Sequence, residues 1–140
     1  MHDNQRERYF YADTGLPINT TYYYRVTALN SREESPQSGT VNAIIILNAP
    51  TEVTAYSSTN GITVSWRNIS NISEYKVYRS SNSLDYIEVG SASSSIGGTR
   101  TSYTDTGLSA NTMYYYRVTA VSSGGESPQS GTVNATTLPN

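Results

Sequence analysis

Apolar residues alternate with polar ones at Ile62, Val64 and Trp66, and again at Tyr75 and Val77 on either side of Lys76. That period of two belongs to half-buried β-strands. A third series, Tyr114, Tyr116, Val118 and Ala120, keeps the same spacing, and no segment shows helical periodicity. Clusters of Ser, Asn, Thr and Gly at 57–61, 68–73, 80–83, 91–98 and 122–125 separate these runs as turns. The pattern predicts seven short strands, near 52–56, 61–67, 74–79, 86–89, 101–104, 113–121 and 130–137. That number of strands at that spacing points to an all-β sandwich.

The chain also matches itself. Tyr11 to Ala43 aligns without a gap on Tyr103 to Ala135 at a constant shift of 92 residues, with about 25 of 33 positions identical. Both copies read Asp-Thr-Gly-Leu (from Asp13 and Asp105), then Tyr-Tyr-Tyr-Arg-Val-Thr-Ala (from Tyr22 and Tyr114), then Glu-Ser-Pro-Gln-Ser-Gly-Thr-Val (from Glu34 and Glu126). Only the second copy is preceded by a front half, Pro50 to Gly90. One sandwich of roughly 90 to 100 residues therefore leaves about a third of the 140-residue chain as a partial repeat.

Composition narrows the function classes. Charged residues make up 14% of the chain and the net charge is -2, which gives no electrostatic footprint for nucleic acid or an anionic membrane surface. The longest apolar run, Ala43 to Leu47, falls far short of the roughly 20 residues that cross a bilayer, so membrane insertion is not expected. With no cysteine there is neither a disulfide framework nor a thiolate metal site. Met1 to Arg8 lacks the apolar stretch of a secretory signal, which places any export signal outside these residues. Thirteen Tyr against one Phe and one Trp suit strands whose rims meet water.

The residues so placed resemble a fibronectin type III module over about 49–138: Pro50 and Val53 on strand A, Trp66 on B, Tyr75 and Val77 on C, and Leu108, Tyr114, Tyr116, Val118 and Ala120 along F. The resemblance implies a seven-stranded immunoglobulin-like sandwich at 48–140, preceded at 1–47 by a truncated repeat with strands E, F and G only. It makes Trp66 the core aromatic, and it makes Tyr114, with Tyr22 in the partial copy, a tyrosine corner bonded to the backbone of the E–F turn. The Tyr-Lys-Val-Tyr-Arg run with Tyr-Tyr-Tyr-Arg-Val-Thr-Ala is similar to versions in bacterial extracellular polysaccharide-degrading enzymes and surface proteins, where they act mostly as spacers. An extracellular or cell-surface location follows from that likeness. The Arg-Gly-Asp motif of integrin-binding members is absent, and Ser122-Ser123-Gly124-Gly125-Glu126 stands in its place.

The partial repeat cannot bury an apolar face alone, because it lacks strands A, B and C. Completing it with residues 52–79 of the same chain would bridge poles roughly 30 Å apart. The link from Leu47 to Val53 reaches only about 20 Å when extended. Two expectations remain: a homo-oligomer formed by strand exchange through residues 9–47, or disorder of residues 1–47.

Candidate chemistry is sparse. Asp-Thr-Gly at Asp13 and Asp105 is the aspartic-protease triplet, yet both copies occupy one register of a repeated module, where Asp and Gly serve a turn. His2 is the only histidine and lies in the charged tail, so no triad or zinc cluster is expected inside the module. Glu33 with Glu34, or Asp85 with Glu88, would act as a glycosidase pair only inside a cleft. Gly97-Gly98 and Gly124-Gly125 lack the Lys and helix of a phosphate loop. No cofactor and no metal is implied. If Tyr114, Tyr116 and Val118 face inward, then Tyr115, Arg117 and Thr119 face out beside Lys76 and Tyr78, with Arg117 stacked on Tyr78 or Tyr115. Lys76, Tyr78, Tyr115 and Arg117 are thus the candidate ligand-binding face. Three readings follow: a non-catalytic structural spacer or interaction module in a tandem array, a polysaccharide- or protein-binding module using that face, and, most remotely, a hydrolase. The expected partners are polysaccharide and neighbouring domains of the parent protein.

Overall fold

Strands form where the period-two pattern meets a partner, and the computed structural model, which describes residues 8–59, 61–94 and 97–139, has ten of them. His2 and parts of the expected turns, at Asn60 and at Ser95 and Ile96, lie outside the described residues. One sheet has the order β3 (Thr54–Ser58), β4 (Gly61–Arg67), β7 (Arg100–Asp105). The other has the order β10 (Val133–Thr136), β8 (Met113–Ser122), β5 (Glu74–Ser80), β6 (Ile87–Ser93), with β9 (Gly125–Glu126) added beside β8. Every pairing is antiparallel.

The core lies between the sheets. Ile62, Val64 and Trp66 from β4 face Tyr75 and Val77 from β5 and Tyr116, Val118 and Ala120 from β8, all fully buried. Trp66 meets Tyr75 edge to face at 5.4 Å, a geometry that adds to simple area burial. The Tyr75 hydroxyl accepts the Ile69 N–H at 2.8 Å. Leu47, which the sequence assigned to the end of the partial repeat, is buried in this core. Leu108 and Tyr114 sit half-buried at its rim. At the far edge Tyr103 of β7 covers Gly90 of β6, where a Cβ would stand 2.3 Å from the phenol oxygen. The Tyr103 hydroxyl donates to the Val89 carbonyl at 3.0 Å.

Three strands differ from expectation. β6 runs to Ser93 because Ser91 and Ser93 still pair with Lys76 and Glu74 beyond a bulge at Val77/Tyr78. β9 arises inside the expected turn, where Gly125 and Glu126 pair with Ser122 and Val121. β10 begins at Val133 because serines take over the preceding stretch: the Ser127 and Ser130 hydroxyls accept the Ala120 and Val118 N–H groups at 2.9 Å each.

The N-terminal stretch forms a hairpin, β1 (Thr21–Tyr24) with β2 (Val41–Ile44), so residues 8–47 are not without order. Its register, Tyr24 opposite Val41, repeats that of Tyr116 opposite Val133. Among the described residues only counterparts of strands F and G appear. Residues 8–13, the counterpart of β7, form no strand, since β7 pairs solely with β4 and the partial repeat has no β4.

Asp105, at the end of β7, ties the sheets together. Its carboxylate accepts two bonds from Arg79 Nη1 of β5, at 3.1 and 2.9 Å, and one from the Tyr116 hydroxyl of β8 at 2.8 Å. Burial, reinforced by the carboxylate, raises the Tyr116 phenol above its ordinary range. Burial alone would lower the Arg79 guanidinium, but the bonds and charge of Asp105 outweigh it and the net direction is up. Breaking a buried, bonded pair strands the partners. Asp105→Ala is therefore expected to cost about 3 kcal/mol in urea denaturation followed by Trp66 fluorescence. Asp13→Ala, at an exposed counterpart position, is expected to stay within about 0.5 kcal/mol.

Candidate functional site

The proposed face lies on the outer side of β6, β5 and β8, where alternation turns Lys76, Tyr78 and Arg117 away from the core. These side chains are bonded to neighbouring side chains of the same face. Lys76 Nζ stands 3.6 Å from Glu88 and 3.9 Å from Glu126. The Tyr78 hydroxyl donates to Glu126 Oε2, and the Thr119 hydroxyl donates to the same oxygen at 2.5 Å. The Arg117 guanidinium lies 4.2 Å from the centre of the Tyr86 ring. Arg117 also donates to Thr132 Oγ1 at 2.8 Å and to Gln129 Oε1 at 3.2 Å.

Three expectations need correction. Thr119 is 1% exposed, covered by the side chains above it, so it is not part of an open face. Arg117 stacks on Tyr86, not on Tyr78 or Tyr115, because Tyr86, just ahead of β6, reaches over β5 to Thr132, whose hydroxyl is hydrogen-bonded to both Tyr86 and Arg117. Tyr22 forms no tyrosine corner. Tyr114 accepts the Ser109 N–H at 3.2 Å, and the residue matching Ser109 is Pro17, which has no N–H to give. That last difference was legible in the sequence. Tyr115 is half-buried between Ser80 and Asn134.

The carboxylates weighed for catalysis do not converge. Asp85 accepts from Asn82 Nδ2 at 2.9 Å in the loop after β5, Glu88 pairs with Lys76, and Glu34 accepts the Thr27 hydroxyl at 2.6 Å. Asp105 is consumed by the sheet-to-sheet link. Among the described residues no three His, Cys, Asp or Glu gather as a metal cluster would, and no helix is long and apolar enough to cross a membrane.

A second feature escaped the sequence: the E–F turn of the partial repeat packs on the F–G turn of the module. The Ile18 N–H donates to the Gly124 carbonyl at 3.1 Å, and Ile18 reaches the module's core cluster. A Cβ on Gly124 would lie 2.2 Å from the Leu16 carbonyl oxygen, so close approach requires glycine there. Of the eight positions where the two copies differ, Pro17/Ser109, Ile18/Ala110, Arg32/Gly124 and Glu33/Gly125 lie at these two turns, and Leu29/Val121 and Asn30/Ser122 at the strand end that leads into one of them.

Two antiparallel sheets with order β3-β4-β7 and β10-β8-β5-β6, a Trp core and a tyrosine corner define the class of immunoglobulin-like sandwich modules. Within it, the chain belongs to the fibronectin type III family, whose model, described as "Fibronectin type III domain", matches residues 48–136. It is similar to a poly(3-hydroxybutyrate) depolymerase of Ralstonia pickettii, 47% identical over 92 residues, which are 64% of this chain and 16% of that protein. A poly(3-hydroxybutyrate) depolymerase of Delftia acidovorans is 33% identical over 102 residues, 71% of this chain and 19% of the relative. The chain thus spans less than a fifth of either depolymerase. Among solved structures, the chicken CNTN1 FN1–FN3 domains match at TM-score 0.52 and 27% identity, over 91% of this chain and 46% of theirs. A β-1,2-glucanase from Parabacteroides distasonis matches at TM-score 0.53 and 30% identity, over 76% of this chain and 16% of its own.

The outer network makes the face pH-sensitive. Burial first, then the bond to Glu126, pushes Tyr78 from 10.0 up to about 12. Burial alone would raise Glu126, but the Thr119 and Tyr78 bonds and the Lys76 charge hold it below its ordinary value. Tyr78 therefore contributes stability that is complete below pH 10 and is lost as pH rises through about 12. Glu126 contributes above its unfolded value of 4.5 and loses that contribution as pH falls through its lower folded value. In an alkaline titration read by tyrosinate absorbance, a late class of tyrosines is expected, and Tyr78→Phe should remove one member. An unchanged late class would contradict the Tyr78–Glu126 bond.

Proposed function

We propose that this chain is a non-catalytic spacer and interaction unit from an array of fibronectin type III repeats in an extracellular bacterial protein, with residues 8–47 the back half of a preceding copy. The observation that carries this reading is the contact of Leu16 and Ile18 with Gly124. Six of the eight differences between the copies fall in or beside the turns where unit meets unit, the other two being Ala12/Thr104 and Thr21/Met113, as a stack of near-identical units with individual joints requires. The match to CNTN1 FN1–FN3, which covers both parts of the chain, supports the same reading. The depolymerase and glucanase names favour a parent that degrades a polymer outside the cell. The second reading, a polysaccharide- or protein-binding face, rests on Tyr86 stacked with Arg117 beside Tyr78 and Tyr115; the bonds that Tyr78 makes to Glu126 and Arg117 to Thr132 and Gln129 weigh against it, since a ligand would displace them.

The test is the rigidity of the joint. In NMR relaxation, the β1–β2 hairpin and the module are expected to tumble as one body, and Gly124→Val should uncouple them with the module's unfolding midpoint unchanged. Independent tumbling in the unaltered chain would contradict the spacer reading. Retention on a polysaccharide that Tyr115→Ala abolishes, with the fold intact, would replace it by the binding one.

A further inference from the structure

Tyr116 and Val118 are fully buried beneath Trp66 and its neighbours. Their counterparts Tyr24 and Val26, with Val41, Ile45 and Leu16, line an open apolar hollow instead. Val26 is 69% and Val41 64% exposed. The polar bonds of this half are nevertheless already made. The Val26 N–H donates to Ser38 Oγ and the Ala28 N–H to Ser35 Oγ, at 2.9 and 2.8 Å, as Val118 and Ala120 donate to Ser130 and Ser127. Asp13 accepts the Tyr24 hydroxyl at 2.9 Å, as Asp105 accepts that of Tyr116. What Asp13 lacks, among the described residues, is the cation that Arg79 brings to Asp105.

We propose that this hollow is a docking surface for the front half of a module, a half-sandwich of the β3–β6 kind supplied by polypeptide other than these 140 residues. The proposal rests on reading residues 8–47 as a back half. The occupant's chemistry is set by what covers the identical residues in the complete copy: a Trp at the place of Trp66 over Tyr24 and Val26, and an Arg at the place of Arg79 against Asp13. A second copy of the chain does not supply it at a gain. Each chain holds one front half and two back halves, so strand exchange between copies only transfers the uncovered face from one hairpin to another.

The test titrates the full chain with a synthetic peptide of residues 48–99, following complex mass by light scattering and binding by anisotropy of a dye on the peptide. A complex of one chain and one peptide is expected. Val26→Asp in the chain, a change at an exposed site that leaves the module's unfolding midpoint in place, should weaken it at least tenfold. An Arg79→Met peptide should bind several-fold more weakly to the unaltered chain and no more weakly to an Asp13→Ala chain. If the peptide does not stay soluble, the same residues fused ahead of Arg8 should give a second unfolding transition that Val26→Asp removes. Absence of both complex and second transition, or equal binding by Val26→Asp, would overturn the proposal. So would a homodimer of the chain alone that Val26→Asp dissociates, since a second copy would then cover the hollow. Such a failure with the Gly124 joint still rigid would leave the spacer reading standing.

Discussion

A strand face of Tyr, Val and Ala gives up water only when another sheet lies on it, and everything else in this chain follows from where that cover exists. β8 has it: β4 of the opposite sheet brings Ile62, Val64 and Trp66 onto Tyr116, Val118 and Ala120, with Tyr75 and Val77 of β5 beside them. With the cover in place, β8 extends over ten residues, pairs with β5 on its other edge, and fixes Asp105 between two sheets. β1 carries the same residues without the cover. It extends over four residues, ends at Tyr24, and leaves Val26 in solvent. One sequence in two environments shows which parts of a module are local and which are borrowed from the other sheet.

The local parts are the polar ones. Serine hydroxyls on F-strand amides, Arg on Thr and Gln, and Tyr on Asp form at nearly the same distances in both copies. The serine and arginine bonds span one hairpin and ask nothing of the second sheet, while the Tyr–Asp bond crosses to the E-strand position and forms at Asp13 even though no strand stands there. The turn at Asp-Thr-Gly is equally local, since Gly15 and Gly107 adopt positive φ of 71° and 75° in both copies, which glycine does without strain. The E-strand counterpart at 8–13 fails to form because its one pairing partner is a front-half strand.

Much of this was legible in the sequence. Period-two alternation located β4, β5 and β8, and the self-alignment located the repeat. Pro17 opposite Ser109 was enough to deny Tyr22 its corner. What the sequence withheld was long-range and geometric. Nothing in Ser122 to Glu126 marks Gly124 as the seat of Leu16 and Ile18, and nothing local says that Tyr86 rather than Tyr78 lies under Arg117. The outer face read as open tyrosines and cations because alternation reports which side a residue faces, while the bonds among Lys76, Glu88, Tyr78, Thr119 and Glu126 depend on cross-strand register. That register also separates the readings of function, since a face satisfied by its own groups suits a spacer better than a binder.

The claim that cover, and not sequence or hydrogen bonding, decides which copy is folded is tested most directly by amide exchange at Val26 and Val118. Both N–H groups donate to a serine hydroxyl at 2.9 Å, within identical sequence. Val118 is expected to exchange only through global unfolding of the module, and Val26 by local opening, orders of magnitude faster. Equal protection at the two amides would contradict that claim.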